Sequence, residues 1–68
     1  MAPDEVARVL RANDGKRVRI TWGDGVTQSV DISGVDDEGV LHSGPDGVEP
    51  RYYWTRFDAI RSVEITND

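Results

Sequence analysis

The chain has 68 residues, no cysteine and a formal net charge of −5 at pH 7. Without cysteine it has no disulfide, no thiolate metal site and no cysteine nucleophile. Because a core in a chain this short seldom supplies more than about 3–5 kcal/mol, a single domain over residues 1–68 needs a further source of stability. We expect self-association to provide it.

The first predicted element is a short helix over residues 3–12. Proline suits the first turn of a helix, and the apolar side chains recur at the spacing of one helical face, at Val6, Val9 and Leu10. Gly15 then permits the left-handed backbone that commonly ends a helix. Since so short a helix is unstable alone in water, we expect its apolar stripe to pack on the rest of the fold.

From residue 16 the hydrophobic period changes to that of a strand. A strand is predicted over residues 16–22, where apolar residues alternate with polar and charged ones at Val18, Ile20 and Trp22. The Gly-Asp-Gly sequence that follows favours a hairpin turn. It leads into a second strand over residues 26–35, whose Ser-Gly pair gives it a place to bend, as a small barrel requires.

Three further strands are predicted over residues 40–43, 48–55 and 60–66. Residues 56–59 are too polar and too few for a strand, which favours one turn of 3₁₀ helix. One helix followed by five closely spaced strands predicts a mainly β fold, in which an N-terminal helix covers a five-stranded, strongly bent antiparallel barrel. If the barrel is open, unpaired edges are expected beside Val40–His42 and Tyr52–Thr55.

A series of short motifs links these predicted elements: Gly15-Lys16-Arg17-Val18-Arg19-Ile20, the turn Asp24-Gly25, and Val35-Asp36 before a Gly/Val/Leu run. Together with the helix they resemble the Sm-like (LSm) family of SH3-like barrels, over residues 5–66. The resemblance implies a helix-capped, bent five-stranded barrel that assembles into rings through its edge strands. It also places Arg56 at the arginine of the family's Arg-Gly pair and Asp36 at its acidic position.

Two departures from that family's pattern bear on function. RNA-binding members carry an asparagine in the loop that here reads Asp36-Asp37-Glu38-Gly39, and Phe57 replaces the glycine of the Arg-Gly pair. A side chain at that position removes the close backbone approach that glycine allows. The resemblance therefore implies an oligomerising barrel first, and a divergent RNA-binding ring as the alternative.

Most of the aromatic residues lie in one short segment with two arginines. Tyr52 and Trp54 share one face of the predicted strand and Tyr53 lies on the other, so at least one ring is expected to be exposed. Exposed aromatic and arginine side chains are typical of protein interfaces and of platforms that stack nucleic-acid bases. Because the net charge is −5, we favour a protein interface over RNA. The predicted contact residues are Arg51, Tyr53, Trp54, Arg56, Phe57 and Asp36.

The remaining motifs do not favour catalysis, a metal or a cofactor. The acidic run at residues 36–38 lacks the alternating ligand spacing of a calcium loop. The only histidine, His42, is expected at the surface or at an edge, and no serine lies in a nucleophile-elbow motif. No stretch is apolar enough to span a bilayer. We therefore expect a cytoplasmic, non-catalytic interaction module, a homo-oligomer with a possible protein partner and without a cofactor.

Overall fold

The computed structural model describes residues 1–44 and 51–65. Its elements are helix α1 (Pro3–Ala12), strands β1 (Arg17–Trp22), β2 (Thr27–Val35), β3 (Gly39–Ser43) and β4 (Tyr52–Arg56), a 3₁₀ turn (Phe57–Ala59) and strand β5 (Ile60–Ile65). The predicted start of the fourth strand, residues 48–50, and the predicted end of the fifth, residue 66, lie outside the described residues.

The five strands form one antiparallel sheet in the order β4-β3-β2-β1-β5. The first half of β2 pairs with β1, and its second half pairs with β3. The register of the second pairing shifts between Ile32 and Gly34, and such a shift bends a strand. The prediction of a mainly β fold with an N-terminal helix and a bent, five-stranded antiparallel sheet is confirmed.

The sheet is not closed into a barrel. Among the described strands, β4 pairs only with β3 and β5 only with β1, so these two strands are the edges. The predicted edge at Tyr52–Thr55 is confirmed. The predicted edge at Val40–His42 was wrong, because β3 lies between its two neighbours in the chain, β2 and β4, and each of them fills one of its sides.

One face of the sheet carries the core, and α1 covers only part of that face. Val6 and Leu10 of the helix are fully buried, as are Val18, Ile20 and Val40 of the sheet. The helix packs mainly against β2, β5 and the 3₁₀ turn. These contacts do not extend to the other end of the same face, which carries Trp22 of β1 and His42 of β3.

The end of α1 is fixed to the sheet by hydrogen bonds. Asn13 is buried, and its Nδ2 donates to the Val9 carbonyl at 2.8 Å. Gly15 adopts the predicted left-handed backbone, with φ of 83°, and its N–H donates to the Ile32 carbonyl of β2 at 3.0 Å. The helix is thereby held over β2, which sets how much of the core face it covers.

Candidate functional site

Three large apolar side chains lie exposed together on the outer face of the sheet, at the β4 edge. Leu41 and Trp54 are opposite each other across β3 and β4, and Tyr52 is on the same face as Trp54. Their exposed fractions are 39% for Leu41, 57% for Tyr52 and 47% for Trp54. Since grouped, exposed apolar side chains mark interaction surfaces, we call Leu41, Tyr52 and Trp54 the outer-face patch.

Trp54 is held in place by the turn that precedes β3. Its Nε1 donates to Oδ2 of Asp36 at 2.8 Å, and its ring packs directly against Gly39. A Cβ on Gly39 would lie 2.6 Å from Cζ2 of the ring and closer still to the carbonyl oxygen of Thr55. Only glycine leaves room for the indole at this position.

Asp36 organises this turn. Its Oδ1 accepts hydrogen bonds from the backbone N–H groups of Glu38 at 2.8 Å and Gly39 at 2.7 Å. These two bonds, and then the bond from Trp54, stabilise the carboxylate and lower the pKa of Asp36 below its ordinary value. The sequence predicted Asp36 as a contact residue. In the structure its Oδ1 holds the turn and its Oδ2 holds the indole of Trp54.

Arg56 and Phe57 follow β4 and lie beside the same turn. The N–H of Phe57 donates to the Glu38 carbonyl at 3.1 Å, and its side chain is buried in the core. The Arg11 guanidinium of α1 stands 5.9 Å from the centroid of the Phe57 ring. Arg56 is exposed, and its Nε lies 3.6 Å from Oδ2 of Asp58. Phe57 is therefore a core residue, and Arg56 forms an ion pair with Asp58.

An open pocket of about 520 Å³ lies between α1 and the loops at this end of the sheet. Two arginines, Arg11 and Arg56, face four carboxylate side chains in its lining, those of Asp4, Asp37, Glu38 and Asp58. Arg11 Nη2 lies 4.0 Å from Oδ1 of Asp37. Because the acidic groups outnumber the basic ones, the pocket disfavours a phosphate group.

A second groove, of about 280 Å³, lies at the end of the core face that α1 leaves uncovered. The rings of Trp22 and His42 have centroids 5.0 Å apart and planes inclined by 40°, while those of His42 and Tyr53 are 6.2 Å apart and inclined by 22°. We call Trp22, His42 and Tyr53 the ring row. The lining of this groove contains no Asp, Glu, Lys or Arg among the described residues.

His42 forms the buried member of the ring row, with 4% of its surface exposed. The expectation that it lies at the surface was wrong. Its Nδ1 is 2.8 Å from the Ser43 carbonyl oxygen, and its Nε2 is 2.8 Å from Oγ1 of Thr55. A carbonyl only accepts, so Nδ1 carries the hydrogen and, in the neutral ring, the Thr55 hydroxyl donates to Nε2. Both nitrogens are thus engaged within the protein.

The structure distributes the six predicted contact residues over different surfaces. Trp54 lies in the outer-face patch and also borders the second groove, whereas Tyr53 lines that groove from the core face. Arg51 precedes β4, where its carbonyl accepts a hydrogen bond from Gly44 at 2.7 Å. The sequence reasoning missed Leu41, Trp22 and His42 as surface-forming residues. The alternation of residues along the strands was the available signal, but it does not say which strand lies beside which.

Within residues 1–44 and 51–65, no three His, Asp or Glu side chains are grouped so that they could hold a metal ion. No helix in the described part of the chain has the length and apolar character needed to cross a membrane. Comparison with protein-family models, curated proteins and solved structures finds no match for this chain. The fold thus defines a small mainly β protein with one helix, and the resemblance to Sm-like proteins stays a prediction.

Proposed function

We propose that this protein is a non-catalytic interaction module that assembles with copies of itself, by pairing β4 of one copy with β5 of the next. The strand order β4-β3-β2-β1-β5 carries the proposal, because no described strand covers the outer side of either edge. An edge strand offers backbone N–H and C=O groups to another strand. Since the two edges differ, the contact is head-to-tail and closes into a ring when the rotation between copies allows it.

The side chains beside the two edges support this pairing. Tyr52 and Trp54 are exposed on the outer face of β4, whereas Tyr53 borders the groove on the core face. On β5, Ile65 is 59% exposed and pairs with the buried Val18, so it lies on the core face. A continued sheet would bring Ile65 of the next copy alongside Tyr53. Such burial would add the stability that a core of this size lacks.

Met1 occupies part of the β5 edge in the single chain. Its ammonium group donates to the Arg61 carbonyl at 2.9 Å, and the Val63 N–H donates to its Sδ at 3.4 Å. Sulfur is a weak acceptor, and Met1 is 49% exposed. An incoming strand would therefore replace the N–H···S contact with a stronger N–H···O bond, and assembly competes with the binding of Met1 to this edge.

Size-exclusion chromatography with light scattering tests the proposal. The parent chain is expected to form an assembly of defined mass, and Tyr52→Lys and Ile65→Lys are each expected to reduce it, because a charge at an edge opposes strand pairing. Val26→Lys is the matched control, since Val26 is 50% exposed but lies in the β1–β2 turn. A parent chain that stays monomeric at high concentration would refute the proposal.

Mixing the two edge variants tests the head-to-tail arrangement. Each variant retains one intact edge, β5 in Tyr52→Lys and β4 in Ile65→Lys, so the mixture is expected to form heterodimers and nothing larger. If instead two β4 edges pair symmetrically, Ile65→Lys alone dimerises and Tyr52→Lys does not join it. That outcome would replace the ring with a closed dimer.

A second candidate function is a divergent RNA-binding ring. The observation that favours it is that Arg56, Phe57 and the turn after Asp36, far apart in sequence, meet at one end of the sheet. The acidic lining of the pocket weighs against it. Titration with oligo(U) and oligo(A) at low salt, followed by tryptophan fluorescence, decides the matter. Salt-dependent quenching that Arg56→Ala abolishes would support RNA binding. Absence of quenching would rule out this second candidate function.

A further inference from the structure

We propose that the groove along the ring row binds an arginine side chain presented by a partner protein. This site lies on the core face of the sheet, at the end that α1 leaves uncovered, and Trp54 is the one member of the outer-face patch in its described lining. The inference goes beyond self-assembly, because Trp22 and His42 lie on the inner strands β1 and β3 and only Tyr53 lies on the edge strand β4.

The ring geometry selects a planar ligand. The planes in the ring row are inclined by only 40° and 22° between neighbours, so the three rings are near parallel, with the partly buried Trp22 and Tyr53 on the two sides of the buried His42. Rings crossed at right angles would form a box of the kind that holds a tetrahedral ammonium group. A near-parallel row can be extended by a flat group that stacks on the partly exposed ring of Trp22 or Tyr53, and guanidinium is the planar cation of proteins.

The charge of the protein selects a cation over a nucleobase. No Lys or Arg belongs to the described lining of the groove, so no basic group of the lining is present to pair with a phosphate. The chain carries a net charge of −5, which attracts cations and repels a polyanion. The faces of aromatic rings are electronegative because of the ring quadrupole, so they also attract a cation.

The groove also offers acceptors for the N–H groups of a guanidinium. Oε1 of Gln28 accepts one hydrogen bond from Nε1 of Trp22 at 3.1 Å, and the Ser43 carbonyl accepts one from His42. Each of these oxygens has a second lone pair. A volume of about 280 Å³ is below the usual range for drug-sized ligands, about 300–1,000 Å³, and suits a single side chain.

Nuclear magnetic resonance on the full-length ¹⁵N-labelled chain tests the inference. The probes are a blocked Gly-Arg-Gly peptide, its citrulline analogue, which has the same shape but no charge, and its lysine analogue. The arginine peptide is expected to shift the indole N–H signal of Trp22 saturably at millimolar concentration. The citrulline peptide is expected to bind about two- to fivefold more weakly, the contribution of a cation–π contact at an open site. The lysine peptide is also expected to bind more weakly, because its ammonium group cannot stack.

Adjacent tyrosines on opposite faces provide the matched control. Tyr53→Leu is expected to weaken arginine binding about two- to fivefold, whereas Tyr52→Leu, in the outer-face patch, leaves it unchanged. Trp22→Leu, read out on backbone signals of β3, serves as the second variant. Equal binding of citrulline and arginine, no shift at millimolar peptide, or a stronger response to oligo(U) than to the peptide would each overturn the inference. The edge-pairing test is read out separately, by mass, so failure of arginine binding and failure of self-assembly are distinguishable.

Discussion

The two ends of the core face are built from the same strands but are covered in different ways. At one end, Val6 and Leu10 of α1 close over the sheet and are fully buried. At the other end, Trp22 and Tyr53 cover His42 from the two sides and are themselves only partly buried. One end is a closed core, and the other is a groove whose walls are aromatic rings.

The difference follows from the lengths of the elements. The ten residues of α1 span about 15 Å, whereas the nine residues of β2 span about 30 Å. A helix of this length, attached at Gly15 to the middle of β2, leaves part of the sheet without a second layer. Large rings from β1, β3 and β4 shield one another there, so the exposed end keeps a defined shape without a helix above it.

The largest expected effect is on the free energy of unfolding, and it differs between the two ends of the core face. Leu10→Ala is expected to lower the free energy of unfolding by about 3 kcal/mol, because it leaves a cavity under the helix. Tyr53→Ala removes a larger but partly exposed side chain, and we expect a loss of about 1 kcal/mol. Urea denaturation followed by far-ultraviolet circular dichroism measures both. Equal losses would mean that the uncovered end is as much a part of the core as the covered one.

The outer face sharpens the comparison, because it also contains a closely packed contact. Gly39→Ala is expected to destabilise the fold by about 2 kcal/mol, since the added Cβ must displace Trp54 or the backbone of Thr55. Gly34→Ala is the matched control in the neighbouring strand. A Cβ there has no heavy atom within 4 Å, so its effect is expected to stay within about 0.5 kcal/mol. Similar unfolding midpoints for the two variants would show that Trp54 does not rest on Gly39.

The polar contact behind the ring row gives the next smaller effect. Thr55→Val keeps the shape of the side chain but removes the hydroxyl bonded to Nε2 of the buried His42, which we expect to cost about 1 kcal/mol. Thr21→Val removes a comparable bond, that to Thr27 at 2.9 Å, at an exposed site, and a smaller loss is expected because water can replace it. If thermal unfolding shows the same loss of stability for both variants, another hydrogen-bond partner replaces the Thr55 hydroxyl at Nε2 of His42.

The sequence predicted the features that depend on local periodicity. The helical spacing of Val6 and Leu10 and the alternation of Val18, Ile20 and Trp22 each specify an element and its buried face, whatever the element packs against. The contacts of Trp54 with Gly39 and Asp36 depend instead on the register between β3 and β4. No local pattern encodes that register, because it is set by how the strands pair after the chain turns.

His42 shows the same limit at the candidate site. A single histidine in a short strand gives no periodic signal of its own, and the sequence therefore favoured the surface. It is buried because Tyr53 lies opposite it and Thr55 reaches its ring from the neighbouring strand. Surfaces assembled from several strands, such as the ring row and the outer-face patch, become visible only when the strand order is known.

The pH dependence of stability gives the finest test of how the outer face is held. Hydrogen bonds from Glu38, Gly39 and Trp54 lower the pKa of Asp36 in the folded chain, so the folded state binds this proton less readily than the unfolded state does. The resulting stabilisation is complete above the ordinary pKa of aspartate, about 4, and is lost as the pH falls below it through the lowered value. The melting temperature of Asp36→Asn is therefore expected to fall less steeply in acid than that of the parent. Asp14→Asn, which removes an exposed carboxylate outside the Asp36 turn, is the control for lost charge alone. If Asp36→Asn keeps the parent's slope, the ionised carboxylate of Asp36 does not stabilise the turn that holds Trp54.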